Sequence, residues 1–275
     1  MIHDATQCGL GEGALWHPER EQFFWFDILG KRLHSDGQSW QFTEHVSAAG
    51  WVDKDTLLIA SETKLFTFNL ATGAKETIAP LEEDNPVTRS NDGRADPYGG
   101  FWIGTMGKNA ETHAGAMYRY FRGALREIYA EVTITNAICF DPGGKFAYYT
   151  DTPTGKLMRT GLDENGWPDG TFDVAIDLSD EDFGIDGAVV DSAGNIWNAQ
   201  WGAGRVAQYA PDGTFLLAVP LPARQTTCPA FGGADLTTLY CTSATQGMDH
   251  PGPDDGKTFA VQTTHIGQKE HRVIL

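Results

Sequence analysis

The chain has 275 residues, of which 41 % are hydrophobic and 21 % charged, a composition typical of a globular protein and not of a disordered or fibrous one. Its formal net charge of −17 makes nucleic acid a poor partner, because phosphate groups need compensating lysine and arginine side chains. The N-terminus has neither a basic nor an apolar signal region, and no segment has the length of a membrane span. We therefore expect a cytoplasmic protein with no nucleic-acid or membrane partner.

The cysteine and histidine residues give no metal or disulfide signature. The four cysteines show neither a C-x-x-C motif nor zinc-ribbon spacing, and we expect free thiols in a reduced compartment: Cys8, Cys139, Cys228 and Cys241. No histidine is predicted to bind a metal. His17 and His113 fall in predicted turns and are expected at the surface.

A pattern of turn and aromatic residues recurs along the chain. Asn91, Asn136 and Asp186 are each followed by an aspartate five residues later and by a strand rich in aromatic and aliphatic residues at the tenth and eleventh positions. A similar copy begins at Glu12, and weaker copies begin near Ala48 and Cys228. Each copy is typical of a β-hairpin, with two apolar strands around a turn that contains Asp-Pro, Gly-Gly or Asp-x-x-Gly.

The spacing of these copies predicts the architecture. In chain order the copies start at residues 12, 48, 91, 136, 186 and 228, which are 36 to 50 residues apart. Each interval leaves room for two further strands, such as the hairpin patterns at 65–79 and 205–221. Four strands per repeat and six repeats predict an all-β fold, a six-bladed β-propeller with four antiparallel strands per blade and one domain over residues 1–275. A β-sandwich or barrel with coincidental turn spacing is the alternative.

The first position of each repeat is predicted to face the central channel. Radial symmetry brings equivalent side chains to the same end of a propeller axis. These six residues are Glu12, Ala48, Asn91, Asn136, Asp186 and Cys228. Two carboxylates that converge in a narrow channel repel each other and lose hydration, and a bound cation would relieve both penalties. The oxygen ligands favour Ca²⁺, Mg²⁺ or Mn²⁺, although each residue taken alone is also compatible with a turn or strand cap.

Several of these stretches carry a family resemblance. The segments "LGEGALWHP", "RSNDGRADPYGGFWIGTM", "ETHAGAMY", "ITNAICFDPGGKFAYYTDT", "GIDGAVVDSAGNIWNAQWGAGRV" and "CPAFGGADLTTLYCTSA" resemble, in order, those of the SMP-30/gluconolactonase/regucalcin family of six-bladed sugar lactonases. The likeness extends along nearly the whole chain. The chain departs from the family pattern at Ala137, where Gly is frequent after the Asn, and at Ile185, where Pro is frequent before the Asp.

The resemblance implies a site and a cofactor. One divalent cation is expected to bind Glu12, Asn136 and Asp186, with Ca²⁺ first among Ca²⁺, Zn²⁺, Mn²⁺, Mg²⁺ and Fe²⁺. Asn91 matches the residue that helps to hold the cation's water ligand and the substrate. Arg89 matches the residue that contacts the lactone. Glu111 matches an acid that reaches a substrate hydroxyl in some members.

The expected activity is metal-dependent hydrolysis of an aldono-lactone, a small-molecule substrate, to the aldonic acid. A cation would polarise the lactone carbonyl and water would attack it, since the chain has no G-x-S-x-G nucleophile motif. Asp186 is the expected general base, and Asn91 is the second expected catalytic residue. Two alternatives stay open: a Ca²⁺-binding or scaffold propeller without catalysis, which has no need of Arg89 beside the cation, and a metal-dependent esterase that acts on aryl esters. The sequence predicts no oligomeric state.

Overall fold

The computed structural model describes residues 1–275 as six four-stranded antiparallel sheets, which confirms the predicted six-bladed β-propeller. The first three sheets are blade 1, β2 (Gly11–His17), β3 (Gln22–Asp27), β4 (Arg32–Ser35) and β5 (Gln38–Gln41); blade 2, β6 (Val46–Asp53), β7 (Thr56–Ser61), β8 (Lys64–Asn69) and β9 (Lys75–Pro80); and blade 3, β10 (Thr88–Ala95), β11 (Phe101–Gly107), β12 (Gly115–Phe121) and β13 (Ala124–Val132).

The other three sheets complete the ring. They are blade 4, β14 (Thr135–Phe140), β15 (Phe146–Asp151), β16 (Lys156–Gly161) and β17 (Asp173–Asp177); blade 5, β18 (Gly184–Val190), β19 (Ile196–Trp201), β20 (Arg205–Tyr209) and β21 (Phe215–Pro220); and blade 6, β22 (Thr226–Gly232), β23 (Thr238–Ser243), β24 (Thr258–Gln262) and β1 (Ile2–Asp4). The only helical element is a short 3₁₀ turn, Thr152–Thr154, and no helix has the length and apolarity needed to span a membrane.

The ring is closed by pairing between the two ends of the chain. The N-terminal strand β1 is the outer strand of blade 6, where Ile2 pairs with Phe259 of β24. The main-chain nitrogen of Met1 extends this contact by donating to the carbonyl of Ala260 at 2.8 Å. Blade 6 is therefore built from both termini, an arrangement that the repeat pattern did not predict.

The aspartates five residues into the repeats organise the hairpin turns. The Oδ1 atom of Asp96 accepts hydrogen bonds from the main-chain nitrogens of Tyr98 and Gly100. Asp141 and Asp191 accept equivalent bonds from the turns that follow them. A short carboxylate that binds the backbone two to four residues ahead stabilises a tight turn, which explains why this residue type recurs.

The eleventh position of each repeat supplies the core between blades. All six side chains there are at most 1 % exposed: Phe23, Ile59, Trp102, Ala147, Trp197 and Leu239. The two tryptophans reach across to the innermost strand of the next blade, Trp102 to Phe140 at 5.4 Å and Trp197 to Phe231 at 5.3 Å between ring centroids, both edge to face. Such an aromatic pair adds about 1 kcal/mol beyond the area that it buries.

Residues 263–275 cross the end of the channel opposite the first repeat positions. Ser192 donates its main-chain N–H to Ile266, and Gln268 donates from Nε2 to the carbonyls of Phe140 and Val190. Farther along, Val273 donates to the carbonyl of Trp51 in blade 2. The side chains of Arg94 and Glu270 form an ion pair beneath the channel. The segment thus ties blades 2 to 6 together at the far end.

The prediction that His17 lies at the surface is wrong. Its side chain is 0 % exposed, its Nε2 contacts the carbonyl of Asp53 at 3.0 Å, and its ring packs 5.6 Å from that of Trp51. His17 is the last residue of strand β2, before the turn, and the neighbouring blade covers it. The prediction that the four cysteines are free thiols is confirmed, and all four are buried.

Candidate active site

The innermost strand of every blade is interrupted by a β-bulge at the mouth of the channel. From Glu12 to Leu15 the chain advances three residues while its partner strand advances two, from Phe26 to Phe24. The same one-residue excess occurs near the start of the other five innermost strands, β6, β10, β14, β18 and β22. Bulges redirect side chains away from the regular alternation of a strand. The polar residues at the first repeat positions therefore leave the sheet and turn into the channel.

These side chains line a cavity of about 430 Å³ at the mouth. Its lining comes from every blade except blade 2, where the first repeat position holds Ala48. The lining residues are Leu10, Glu12, Arg89, Asn91, Met106, Ala110, Ile134, Asn136, Thr152, Asp186, Trp201, Gln225, Gln246 and Gly247. The cavity thus brings together the predicted residues of blades 1, 3, 4 and 5, which are up to 174 positions apart in the sequence (12 to 186).

Two carboxyl groups meet at the floor of this cavity. Glu12 and Asp186 are at most 5 % exposed and lie within hydrogen-bonding reach of each other. Burial raises the pKa of Glu12 to about 8, and the carboxylate of Asp92 below it contributes in the same direction. Burial and the charge of Glu12 raise the pKa of Asp186 well above its usual range. The protein alone therefore does not compensate this pair of negative charges.

A chain of hydrogen bonds connects the polar residues of blades 3, 4 and 5. Arg89 donates from Nη1 to Oδ1 of Asn91 at 2.7 Å, and Nδ2 of Asn91 donates to Oδ1 of Asn136 at 3.1 Å. Asn136 in turn donates from Nδ2 to the hydroxyl of Thr152 at 3.0 Å, which donates to the carbonyl of Ile185 at 2.8 Å. The network fixes the orientation of the side-chain amides of Asn91 and Asn136, because each Oδ1 accepts from the preceding residue of the chain of bonds.

Arg89 is the only cationic side chain in the cavity. It is 3 % exposed, and burial lowers its pKa to about 10 in spite of the opposing influence of Glu12, Glu62 and Asp186. The guanidinium also donates to the carbonyl of Ser90 at 2.9 Å. A buried charge held by its own strand and by Asn91 can present its remaining N–H groups to a polar ligand without rearrangement.

The backbone after two of the predicted ligands is left-handed. Gly13 follows Glu12 with φ +58°, and Ala137 follows Asn136 with φ +57°. The departure from glycine at Ala137 therefore does not change the chain path, although an L-residue is strained by about 1–2 kcal/mol in this conformation. At Gly13 an added Cβ would lie 2.2 Å from the carbonyl oxygen of Ser47, so only glycine fits there.

The structure does not bring the Glu111 carboxyl group into the cavity. Its oxygens accept hydrogen bonds from the main-chain and side-chain nitrogens of Asn109, each at 3.0 Å, and these bonds hold its pKa below the usual value. The neighbouring Ala110 does line the cavity. A role for Glu111 in binding a substrate hydroxyl stays a prediction and would require this loop to turn its side chain inward.

The donor set at the floor fits a hard divalent cation. Glu12, Asp186 and Asn136 offer carboxylate and amide oxygens, the ligands preferred by Ca²⁺, Mg²⁺ and Mn²⁺. The Oδ1 atom of Asp186 is buried without a hydrogen-bond partner, and a buried unpaired carboxylate oxygen is unfavourable unless something compensates it. A cation would satisfy this atom and both negative charges, and these residues would hold it.

Several residues of the cavity were missed by the sequence reasoning. Met106 and Trp201 stand fifteen residues after Asn91 and Asp186, at the ends of β11 and β19, and a comparison of that repeat position could have identified them. Thr152 is one residue beyond the same position in blade 4. Gln225 precedes its repeat copy and carries no periodic signal.

Comparisons with known proteins agree with this architecture. The family model described as SMP-30/Gluconolactonase/LRE-like region matches residues 10–245. A relative from Rhizobium meliloti (strain 1021), named as a candidate sugar lactone lactonase, is 42 % identical over 261 residues, 91 % of this chain and 88 % of the relative. The L-arabinolactonase of Azospirillum brasilense is 34 % identical over 97 % of this chain and 93 % of its own.

A solved structure is similar over the entire fold. The crystal structure of a calcium-binding protein, regucalcin, from Agrobacterium tumefaciens str. C58 has a TM-score of 0.97 and 39 % sequence identity and covers 100 % of this chain and 97 % of its own. The matched region includes all six innermost strands and the cavity that they surround. On this evidence the chain belongs to the SMP-30/gluconolactonase/LRE-like family.

Proposed function

We propose that this protein hydrolyses a sugar lactone to the corresponding hydroxy acid with the help of one divalent cation at Glu12, Asn136 and Asp186. The observation that carries the proposal is the buried, mutually repelling pair Glu12 and Asp186 beside a single arginine in an open cavity of about 430 Å³. The hydrolase assignment is supported by membership of a family whose relatives are named lactonases. A calcium-binding relative supports the cation.

Different residues of the cavity are proposed to bind the substrate and the cation. Arg89 and Asn91 form one wall, where the Arg89 guanidinium offers N–H donors to the carbonyl side and hydroxyls of the substrate. Both N–H groups of Asn91 are bonded within the protein, to the Thr135 carbonyl and to Oδ1 of Asn136, so Asn91 acts by holding Arg89 in place. Their mutual hydrogen bond fixes both side chains before the substrate arrives, which lowers the entropy lost on binding. When bound, the cation would supply positive charge to the lactone carbonyl oxygen and stabilise the oxyanion that develops there.

The proposed chemistry needs one base, and Asp186 is placed for it. Asp186 lines the cavity and its buried Oδ1 has no partner in the protein, so its carboxylate can accept the proton of a water molecule that attacks the carbonyl carbon. The bond from that carbon to the ring oxygen then breaks. The ring oxygen takes the proton back from Asp186 and becomes a hydroxyl, which leaves the open hydroxy acid. The buried cysteines are unsuitable nucleophiles, because burial raises the pKa of Cys8 to about 12 and also raises the pKa of each of the other three thiols.

A pH-indicator assay tests the proposal. Metal-stripped protein is given each of Ca²⁺, Mg²⁺, Mn²⁺ and Zn²⁺ and a panel of aldono-lactones, with phenyl acetate as an aryl ester. We expect lactone hydrolysis only with a cation, and its loss in Asp186→Asn with the fold retained. Asp212→Asn, an exposed turn residue with the same charge change, is the matched control.

The two alternatives give different results in the same assay. Hydrolysis of phenyl acetate without any lactone would favour the esterase, and cation binding by calorimetry without hydrolysis of either ester would favour the non-catalytic protein. Full activity of Asp186→Asn would exclude the proposed base.

A further inference from the structure

The cavity has two unlike walls. Blade 3 supplies Arg89 and Asn91 on one side, whereas blade 6, three positions away in a ring of six and hence opposite, supplies Gln225 and Gln246. The Glu12, Asn136 and Asp186 side chains come from the blades between them. A substrate held by Arg89 therefore presents its other end to the blade 6 wall.

Gln225 is fixed in position by its backbone. It forms a β-bridge with Trp201, and its carbonyl accepts a hydrogen bond from the main-chain nitrogen of Ala244 at 3.0 Å. The second contact also ties the segment that carries Gln246 to the segment that carries Gln225. Gln225 lines the cavity, and its side-chain amide makes no hydrogen bond within the protein, with Oε1 as its buried atom. An unpaired amide on a fixed backbone can form a hydrogen bond with a hydroxyl group of a ligand.

The same wall carries no positive charge. The ionisable side chains that line the cavity are Glu12, Arg89 and Asp186, and the single cation among them is on the opposite wall. Arg224, next to Gln225 in sequence, is exposed and does not line the cavity. An anionic group at this end of a substrate would find amides and an indole ring but no cationic partner. Trp201 offers an apolar face to the C–H groups of a sugar ring.

Resting on the lactonase function proposed above, we propose that Gln225 binds a hydroxyl of the substituent carried by the lactone ring and thereby selects uncharged, hydroxylated lactones. The preferred substrate is a lactone with a hydroxymethyl or longer hydroxylated arm. A ring without the arm leaves the Gln225 amide unpaired, and an arm that ends in a carboxylate meets a wall without a countercharge.

Three probes that differ only in the arm test this proposal on the cation-loaded protein: D-glucono-1,5-lactone with a hydroxymethyl arm, D-xylono-1,5-lactone with none, and D-glucaro-1,5-lactone with a carboxylate. We expect kcat/KM to fall about three- to tenfold when the arm is absent, as for loss of one neutral hydrogen bond, and at least as far with the carboxylate. In Gln225→Leu, which keeps the shape and removes the amide, the ratio of the first two values should approach one. Gln38→Leu, on the exposed outer strand of blade 1, should leave the ratio unchanged.

The outcomes separate this proposal from the proposed function. If the wild-type protein hydrolyses lactones but Gln225→Leu lowers kcat/KM equally for all three probes or not at all, the role of Gln225 is wrong and the lactonase function stands. A preference for the carboxylate arm would also overturn it. If no lactone is hydrolysed, both proposals fail. Should Gln225→Leu not fold, Gln225→Asn shortens the same amide by one methylene and should reduce the ratio in the same direction.

Discussion

The hydroxyl of Thr152 accepts a hydrogen bond of 3.0 Å from the side-chain nitrogen of Asn136. The same hydroxyl donates to the carbonyl of Ile185, the residue before Asp186, at 2.8 Å. One threonine thus links two proposed cation ligands that belong to neighbouring blades. Residues that hydrogen-bond to a metal-binding side chain fix its orientation, and replacing them often lowers the metal affinity strongly.

We expect Thr152→Val to lower the affinity for Ca²⁺ by about tenfold, because the Asn136 amide loses the contact that orients it. Titration calorimetry on metal-stripped protein measures this. Thr154→Val is the control and should bind Ca²⁺ normally. Thr154 is on the same 3₁₀ turn but is exposed, and its hydroxyl is bonded only to the main chain, at the carbonyl of Asp151 and the nitrogen of Lys156. An unchanged affinity in Thr152→Val would remove Thr152 from the support of the site.

Glu12→Gln should separate cation binding from stability. A ligand at one hundred times its Kd stabilises a protein by about 2.7 kcal/mol, and we expect the variant to lose most of this gain because one of two carboxylates is neutral. Without cation the variant should be at least as stable as the wild type, since the repulsion with Asp186 is removed. Thermal unfolding with and without Ca²⁺ measures both effects. A full Ca²⁺-dependent shift in Glu12→Gln would show that Glu12 is not a ligand.

The two left-handed positions predict opposite sensitivities. In Gly13→Ala the new Cβ would lie 2.2 Å from the Ser47 oxygen and 2.7 Å from the Phe26 ring, so we expect a loss of more than about 2 kcal/mol from strain and overpacking. In Ala137→Gly the relief of strain is offset by the lost burial of one methyl group, and the change should stay within about 1 kcal/mol. Denaturant unfolding compares them. A mild effect of Gly13→Ala would mean that blade 2 can move away from blade 1.

The ion pair below the channel should contribute to stability through its burial. The side chains of Arg94 and Glu270 are only 10 % and 9 % exposed, and the removal of one partner from a buried pair usually destabilises a protein by about 3–5 kcal/mol. We expect Glu270→Ala to approach this value and Glu270→Gln to lose less. Asp177→Ala, which breaks an exposed pair with Lys156, should have little effect. Equal unfolding midpoints for Glu270→Ala and the wild type would contradict the prediction.

Acid should destabilise the protein partly through three histidines that folding shields from water, fully or in part. Burial lowers the pKa of His17, His34 and His271 in the folded state, so below about pH 6.5 the unfolded chain takes up protons that the folded chain does not. The contribution of these histidines to the free energy of unfolding is therefore complete above pH 6.5 and decreases as the pH falls below that value. The unfolding temperature, measured at saturating Ca²⁺ from pH 8 to 5, should drop less steeply in His17→Gln. A slope identical to that of the wild type would exclude His17.

The six blades and the cavity of the candidate site could be predicted because the repeated residues have local structural roles. Aspartates such as Asp96 form the turns, and residues such as Trp102 fill the space between blades, so their spacing carries the fold. The first repeat position then identified Glu12, Asn91, Asn136 and Asp186, which do line one cavity.

The features that could not be predicted depend on contacts that do not recur from one repeat to the next. The bulges that turn Glu12 and Asn136 inward add one residue to a single strand, and no composition signal marks them. His17 looked like a turn residue because its burial comes from blade 2 and not from its own hairpin. Gln225 and the segment 263–275 lie between repeats, where local pattern gives no information about what the chain will touch.

The segment 263–275 closes one end of the central channel. Since it spans the end opposite the cavity, a lactone must enter and the hydroxy acid must leave through the same opening, past Arg89. The product at neutral pH is an anion, formed beside that guanidinium. The product and the incoming substrate would therefore compete for the same opening and the same arginine. The hydroxy acid should act as a competitive inhibitor, and its affinity should decrease as the salt concentration rises.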